Sequence, residues 1–168
     1  MLISQQIIQQ YKQVSKSVDR ELINQSIKDA ELLDLKPLLG ELLYVDLVAN
    51  ITAPKYMELM TGKAYIFNGQ SYMFEGLNPV LANFAYARYI VFSSYVDTPF
   101  GLVSKVSQDS QPVSEANKRA MSKSAEQTAY SYFQGVRDFL NRYPIVYPSW
   151  KGHTTERNFR FNIITKEH

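Results

Sequence analysis

Few side chains in this sequence are of a kind that does chemistry, and those few are scattered. There is no cysteine, and the two histidines are His153 and His168. Thiolate catalysis, disulfides, iron–sulfur ligation and Cys-based zinc sites are therefore excluded. Both histidines fall in the polar C-terminal stretch, with no nucleophile or carboxylate cluster at catalytic spacing beside them. They read as solvated. Asp29 with Glu31, and Asp34 with Glu41, come nearest to carboxylate pairs for general acid–base work. On a helix such residues more often make a solvated face. No glycine-rich phosphate loop, no HExxH and no GxSxG is present. A hydrolase built on carboxylates is the least supported class, and no catalytic, cofactor or metal residue is expected.

What these residues can do is bind. The chain carries 12 tyrosines, and aromatic side chains are enriched in interface cores. Tyr65, Phe67, Tyr72, Phe100, Tyr147, Trp150, Phe159 and Phe161 are the candidate assembly contacts. Lys118, Arg119 and Lys123 form a weak basic stripe that could face DNA phosphates. A net charge of +2 is low for a protein that coats nucleic acid tightly. The charge is also polarised. Residues 1–62 hold six basic and eight acidic groups, whereas residues 114–168 hold nine basic and five acidic. Such polarity suits head-to-tail packing of copies, which closes into a ring if the rotation permits.

A length of 168 residues fits about one domain. The apolar spacing predicts a mainly α fold: a small helical bundle with one inserted β-hairpin and an extended C-terminal tail. Residues 1–18 form an N-terminal arm or short helix, with Ile3, Ile7, Ile8 and Tyr11 at helical spacing. Residues 19–146 form the helical domain. Asp19 caps its first helix, whose apolar face is Leu22, Ile23, Ile27, Ala30 and Leu33. Pro37 breaks or restarts it, and a second helix carries residues 38–48. A short turn or helix over 55–60 follows. Asn68-Gly69 then separates two aromatic runs, so residues 64–74 form a hairpin with a type I′ turn. Pro79 opens an apolar helix, 80–95, whose single charge, Arg88, should be buried and ion-paired. Residues 97–113 are a long connection. Ser114 caps the longest helix, with Met121, Ala125, Thr128, Tyr132, Val136, Phe139 and Tyr143 as its seam. Residues 147–168 are the extended tail, with an edge-strand alternation at Phe159-Arg160-Phe161-Asn162-Ile163. No secretory leader is evident, and the most apolar stretch, 80–92, is too short to span a bilayer. A soluble protein without membrane contact is expected.

Leu35-Lys36-Pro37-Leu38-Leu39-Gly40-Glu41-Leu42-Leu43-Tyr44, taken with the hairpin, Phe84-Ala85-Tyr86-Ala87-Arg88-Tyr89 and Thr98-Pro99-Phe100-Gly101, follows a family order. Over roughly residues 20–150 the chain resembles the head-to-tail connector, or adaptor, proteins of tailed bacteriophages, in the group from crAss-like and other Bacteroidetes phages. The resemblance implies a structural virion protein, made in the host cytoplasm, without catalytic residues or cofactors. It implies a homo-oligomeric ring, twelvefold, below the portal. Its partners would be its own copies, the portal protein, the adjacent tail or ring proteins and, in transit, the genomic DNA. A small helical DNA-binding module using Lys118, Arg119 and Lys123 is the alternative.

Overall fold

An apolar helix makes the axis of this fold. In the computed structural model, which describes residues 1–15, 19–93, 95–99, 101–104 and 113–152, the elements run as follows. Helix α1 is Gln5–Tyr11, α2 is Arg20–Asp29, and a π-helical turn covers Ala30–Leu35. Helix α3 is Lys36–Leu39, α4 is Glu41–Ala49 and α5 is Pro54–Thr61. Strands β1 (Lys63–Phe67) and β2 (Gln70–Phe74) lead into α6 (Leu77–Phe92). Strands β3 (Tyr95–Thr98) and β4 (Gly101–Ser104) precede α7 (Glu115–Arg142). Helix α6 packs along α7 and also against α1, α2, the π turn and α5. Its Leu77, Val80, Leu81, Ala82, Phe84 and Ala85 are buried, as a helix apolar on most sides requires. The chain is thus mainly α with an inserted hairpin, as its periodicity predicts.

The capping signals act where the sequence places them. Asp19 accepts from the backbone N–H of Glu21 (3.0 Å) and Leu22 (3.2 Å). Ser114 Oγ accepts from Asn117 N–H at 3.2 Å and starts α7. The hairpin turns at Asn68-Gly69 with φ of 51° and 75°, the two positive values of a type I′ turn. Phe67 pairs with Gln70, Tyr65 with Tyr72 and Lys63 with Phe74.

Several expectations need correction. The first helix does not keep one α phase to Leu33. Over Ala30–Leu35 it widens, and Lys36 N–H bonds to Glu31 O, five residues back. Pro37 follows directly and has no N–H to extend an α ladder. The wider turn swings Leu33 into solvent and puts Leu35 in the core. The helix expected over 38–48 is cut at Gly40, whose φ of 76° separates α3 from α4. Helix α6 begins at Leu77 and ends at Phe92, so Pro79 lies within its first turn. The connection 97–113 is not simply a loop: it opens in a second short antiparallel pair, with Tyr95 opposite Ser104 and Thr98 opposite Gly101.

The α7 seam is also displaced. Its buried residues are Lys118, Ser122, Ala125, Ala129, Phe133, Val136, Phe139 and Leu140, while Met121 is exposed and Thr128, Tyr132 and Tyr143 are half-buried. Of the arm or short helix expected over residues 1–18, the short helix is what forms, as α1, and Ile3 and Ile8 belong to the main core. Residues 147–150 are not an extended tail: Tyr147 and Trp150 are buried in that same core. The edge-strand expectation at Phe159 and Phe161, and the contact expected of Phe100, lie outside the described residues.

Candidate assembly surfaces

The hairpin presents two unlike faces. Tyr65 is buried and lies edge-on to Phe139 at 5.0 Å and to Tyr143 at 5.7 Å. It also stacks with Tyr72 at 5.6 Å. The Arg142 guanidinium covers the Tyr72 ring at 3.8 Å and donates to the Tyr65 hydroxyl. Phe67 is half-buried beneath the same guanidinium, and Tyr143 Oη donates to Ile66 O at 2.9 Å. Tyr65, expected as an assembly contact, is therefore buried within the subunit, and Phe67 and Tyr72 are largely engaged within the fold. They bind the hairpin to the C-terminal end of α7. The opposite face carries Ile66 and Met73, 70% and 68% exposed. Among the described residues each strand has one neighbour, so both edges lack a partner strand.

The basic stripe on α7 is reduced. Lys118 is buried; its ammonium lies 2.6 Å from Glu115 Oε1 and 5.0 Å from the centre of the Tyr95 ring. It clamps the second strand pair to α7 and is withdrawn from the exposed basic stripe. Arg119 and Lys123 are exposed.

Each of the carboxylates singled out above has a hydrogen-bond or ion-pair partner within the fold. Glu31, buried on the π turn, accepts from Leu2 N–H and anchors the chain's start. Asp29 Oδ1 accepts from Gln25 Nε2 at 2.7 Å. Glu41 and Lys36 pair across Gly40 at 2.9 Å. Asp34 takes Arg88 in a forked pair, 2.7 Å from Nε and 2.9 Å from Nη2. The fork, first through its hydrogen bonds, holds the guanidinium pKa above its ordinary value. Arg88 is paired as expected, but it is not largely buried: the two side chains keep 31% and 19% of their surface. The Arg88→Ala protein should accordingly lose about 1.5–3 kcal/mol, the range for hydrogen bonds to charged groups, and not the full cost of orphaning a buried charge. Urea titration, with an Asp34→Ala and a double variant closing the cycle, measures it. A change near zero would mean that solvent replaces the pair without loss.

The strongest polar cluster joins α4, α5 and residues 147–150. Asp46 accepts from the Tyr56 hydroxyl, from Ser149 Oγ at 3.1 Å and from Asn50 Nδ2 at 2.8 Å. Lys55 Nζ lies 4.0 Å away. Tyr147 Oη donates to Lys55 O at 2.8 Å, and Trp150 Nε1 donates to Asn141 Oδ1 at 2.7 Å. The Tyr56 hydrogen bond leads the effects that hold the Asp46 carboxyl below its usual range. Burial first, then the Glu58 charge, pushes the Tyr147 hydroxyl up to about 12. Tyr147 and Trp150, expected as assembly contacts, are thus buried and fastened within this domain.

A depressed carboxyl pKa contributes stability above the unfolded value of about 3.9, lost as pH falls through the folded value. Asp46→Asn should therefore lower the urea midpoint at neutral pH. Its deficit against the parent should narrow as pH falls below about 4. An equal deficit at pH 7 and pH 2.5 would show that Asp46 acts without its charge.

A second exposed apolar face lies on α4. Leu43 and Leu47 are buried, yet Leu42, Val45 and Val48 are exposed by 61%, 55% and 46%. Residues 42–48 are apolar at more positions than one buried stripe needs, and this was the signal for the surface in the sequence. A shallow groove adjoins it, with Leu39, Glu41 and Leu42 on one side and Trp150, Lys151 and Gly152 on the other.

Among the described residues there is no group of three or more His, Asp or Glu placed to hold a metal ion, and no helix long and apolar enough to cross a membrane. What the fold and its surfaces define is a mainly α domain that presents apolar patches from a hairpin and a short helix. The chain belongs to DUF6712, a family of unknown function, whose sequence profile matches residues 35–160. No curated protein and no solved structure matches it.

Proposed function

We propose that this protein is a structural assembly protein whose copies form a ring in the head-to-tail connector of a tailed bacteriophage. The ring would sit below the portal, join capsid to tail and pass genomic DNA through its channel. In this reading the protein is made in the host cytoplasm, works in the virion, performs no catalysis and uses no cofactor. The observation that carries the proposal is the hairpin's outer face. Ile66 and Met73 stand exposed on a hairpin whose inner face α7 holds rigidly. Two strand edges beside that face could take a strand from a neighbour, backbone hydrogen bonds giving affinity and alternate side chains giving register. The acidic first part and basic last part of the chain favour a head-to-tail contact of the kind that closes a ring. A near-neutral subunit also suits a channel through which DNA must slide.

Mass spectrometry and cryo-electron microscopy of purified particles test this reading directly. The protein should be a fixed-copy component, with density for a ring between portal and tail. Its absence from particles would overturn the proposal. Ile66→Glu should leave the circular dichroism and thermal midpoint of the free subunit close to the parent, because the site is solvent-facing. It should abolish incorporation into particles. Full incorporation of the variant would remove the hairpin face from the contact. The DNA-binding alternative retains Arg119 and Lys123 but loses Lys118 to the fold. A salt-dependent affinity tighter than about 10⁻⁶ M for duplex DNA in fluorescence anisotropy would restore it.

A further inference from the structure

We infer that Arg142 is a docking anchor for a carboxylate of a neighbouring copy of this chain, and that Glu21 supplies that carboxylate. The inference deepens the ring proposal and rests on its premise that copies meet head to tail. Arg142 is the last residue of α7. Its guanidinium lies 3.8 Å from the centre of the Tyr72 ring and 5.6 Å from those of Tyr65 and Phe67. One Nη1–H donates to the Tyr65 hydroxyl. An arginine has five N–H donors and no acceptor, and this one has no carboxylate partner among the described residues. Asp138, one turn earlier on the same helix, does not pair with it. No Arg142 nitrogen is buried without a partner, so the spare donors open to solvent. Arg88, similarly half-buried, instead takes both oxygens of Asp34. A guanidinium stacked and bonded like that of Arg142 has already lost its rotamer freedom. A planar carboxylate can then accept two parallel hydrogen bonds at reduced entropic cost.

The acidic first part of the chain holds the matching group. Residues 1–62 carry eight carboxylates. Asp19 caps α2, Glu58 pairs with Lys63, and five more are bonded as described above. Glu21, exposed in the first turn of α2, is the eighth and has no such partner among the described residues. It lies far from Arg142 within one copy. Phe74, just before α6, stacks on Phe139, whereas Tyr95, just after α6, meets Lys118. Helices α6 and α7 are therefore antiparallel, and Arg142 lies beside the start of α6. The charge of Asp19, two residues before Glu21, is felt by Tyr89 in the last turn of α6. Leu77 and Tyr89 are about 18 Å apart along that helix. Groups at opposite ends of the helix pair meet only between copies, and that contact is heterologous, the kind that closes a ring.

The chain has no cysteine, so thiols can be placed beside the two groups with both charges left intact. Asn24 and Gln70 are exposed; Asn24 is one turn from Glu21, and Gln70 accepts from the Tyr72 hydroxyl. Asn24→Cys and Gln70→Cys chains, mixed in equal amounts and treated with a short bis-maleimide, should give mixed dimers at least about tenfold above either like pair. A statistical yield overturns the inference, whether or not particles contain the protein. In particles, Glu21→Arg should lower incorporation at least about tenfold, with the circular dichroism of the free subunit unchanged. Adding Arg142→Glu should restore incorporation, a rescue that a clamp acting only within the subunit would not produce. Full incorporation of Glu21→Arg overturns the inference and leaves the ring standing. Should Arg142→Glu disturb the hairpin, the Glu21→Arg result and the dimer yield decide. Absence of the parent protein from particles defeats the ring reading, and the dimer yield then decides the contact by itself.

Discussion

Phe139→Ala should destabilise the protein by about 3–5 kcal/mol, as removing a core phenylalanine does. Phe139 keeps 2% of its surface and is the point where three parts of the chain meet. Its ring stacks on Phe74 of β2 at 4.2 Å. It lies edge-on to Tyr65 of β1 at 5.0 Å and to Tyr147 beyond α7 at 5.8 Å. Tyr143 adds a tilted contact at 5.0 Å. Truncation leaves a cavity that no single neighbour can fill, because each is held by another partner. Tyr65 is fixed by Arg142, and Tyr147 by Lys55 O. A domain of ordinary stability has about 5–15 kcal/mol in total, so the loss should be visible as a large fall in the urea midpoint at nearly constant slope. A loss below about 1 kcal/mol would mean that the cluster collapses without cost. A lower slope with an exposed hairpin would mean that the unit comes apart in pieces.

Gly76→Ala should be comparably severe, for a reason that lies in the backbone. Gly62 and Gly76 bracket the hairpin, with φ of 79° at each and ψ of 165° and −172°. That region is open essentially to glycine alone, and holding another residue there costs about 1–3 kcal/mol. A Cβ at Gly76 would also collide with Gly62 N and Met60 O, and one at Gly62 with Phe74 O. The backbone of Met60 and Gly62 occupies the place of a side chain at Gly76, and that of Phe74 and Glu75 the place of one at Gly62. Relieving the collision should cost about 1–3 kcal/mol more, as overpacking does. Gly69→Ala is the internal control. It has a similar φ, 75°, but open space around it, so it should lose about 1–2 kcal/mol from conformation alone. Equal losses at Gly69 and Gly76 in urea titration would exclude the steric contribution.

What could be read from the sequence was what is encoded locally. Asn68-Gly69 names its own turn, and Asp19 and Ser114 name their caps, because each signal acts within three residues. What could not be read depended on partners distant in the chain. Along Ala64-Tyr65-Ile66-Phe67 both faces are apolar, so the alternation does not say which one faces in. The contact with Phe139 and Tyr143 decides it, and the outward pair becomes Ile66 and Met73. The α7 seam was obscured by Lys118 and Ser122, polar residues buried on it. The exposed Met121 mimicked a seam position one residue away. The π turn hid in the same manner, since its extra residue leaves no mark in composition but exchanges Leu33 for Leu35. Tyr147 and Trp150 looked like loose anchors because Asp46, Lys55 and Asn141, which hold or adjoin them, are far off in sequence or on another element.

Helix α7 grips the two strand pairs at its opposite ends. Lys118 meets Tyr95 near its start, and Arg142 meets Tyr72 at its close. Those grips are 24 residues apart, about 36 Å along the axis. The helix is therefore a ruler as well as a wall of the core. It sets both the spacing and the angular offset of the two hairpins, since each residue adds about 1.5 Å of rise and a hundred degrees of turn. A single inserted residue between the grips would rotate one hairpin by more than a quarter turn against the other. Any assembly that touches both pairs would thus read the length of α7 as a gauge, and homologous chains that share such an assembly would be free to change its exposed side chains but not its residue count.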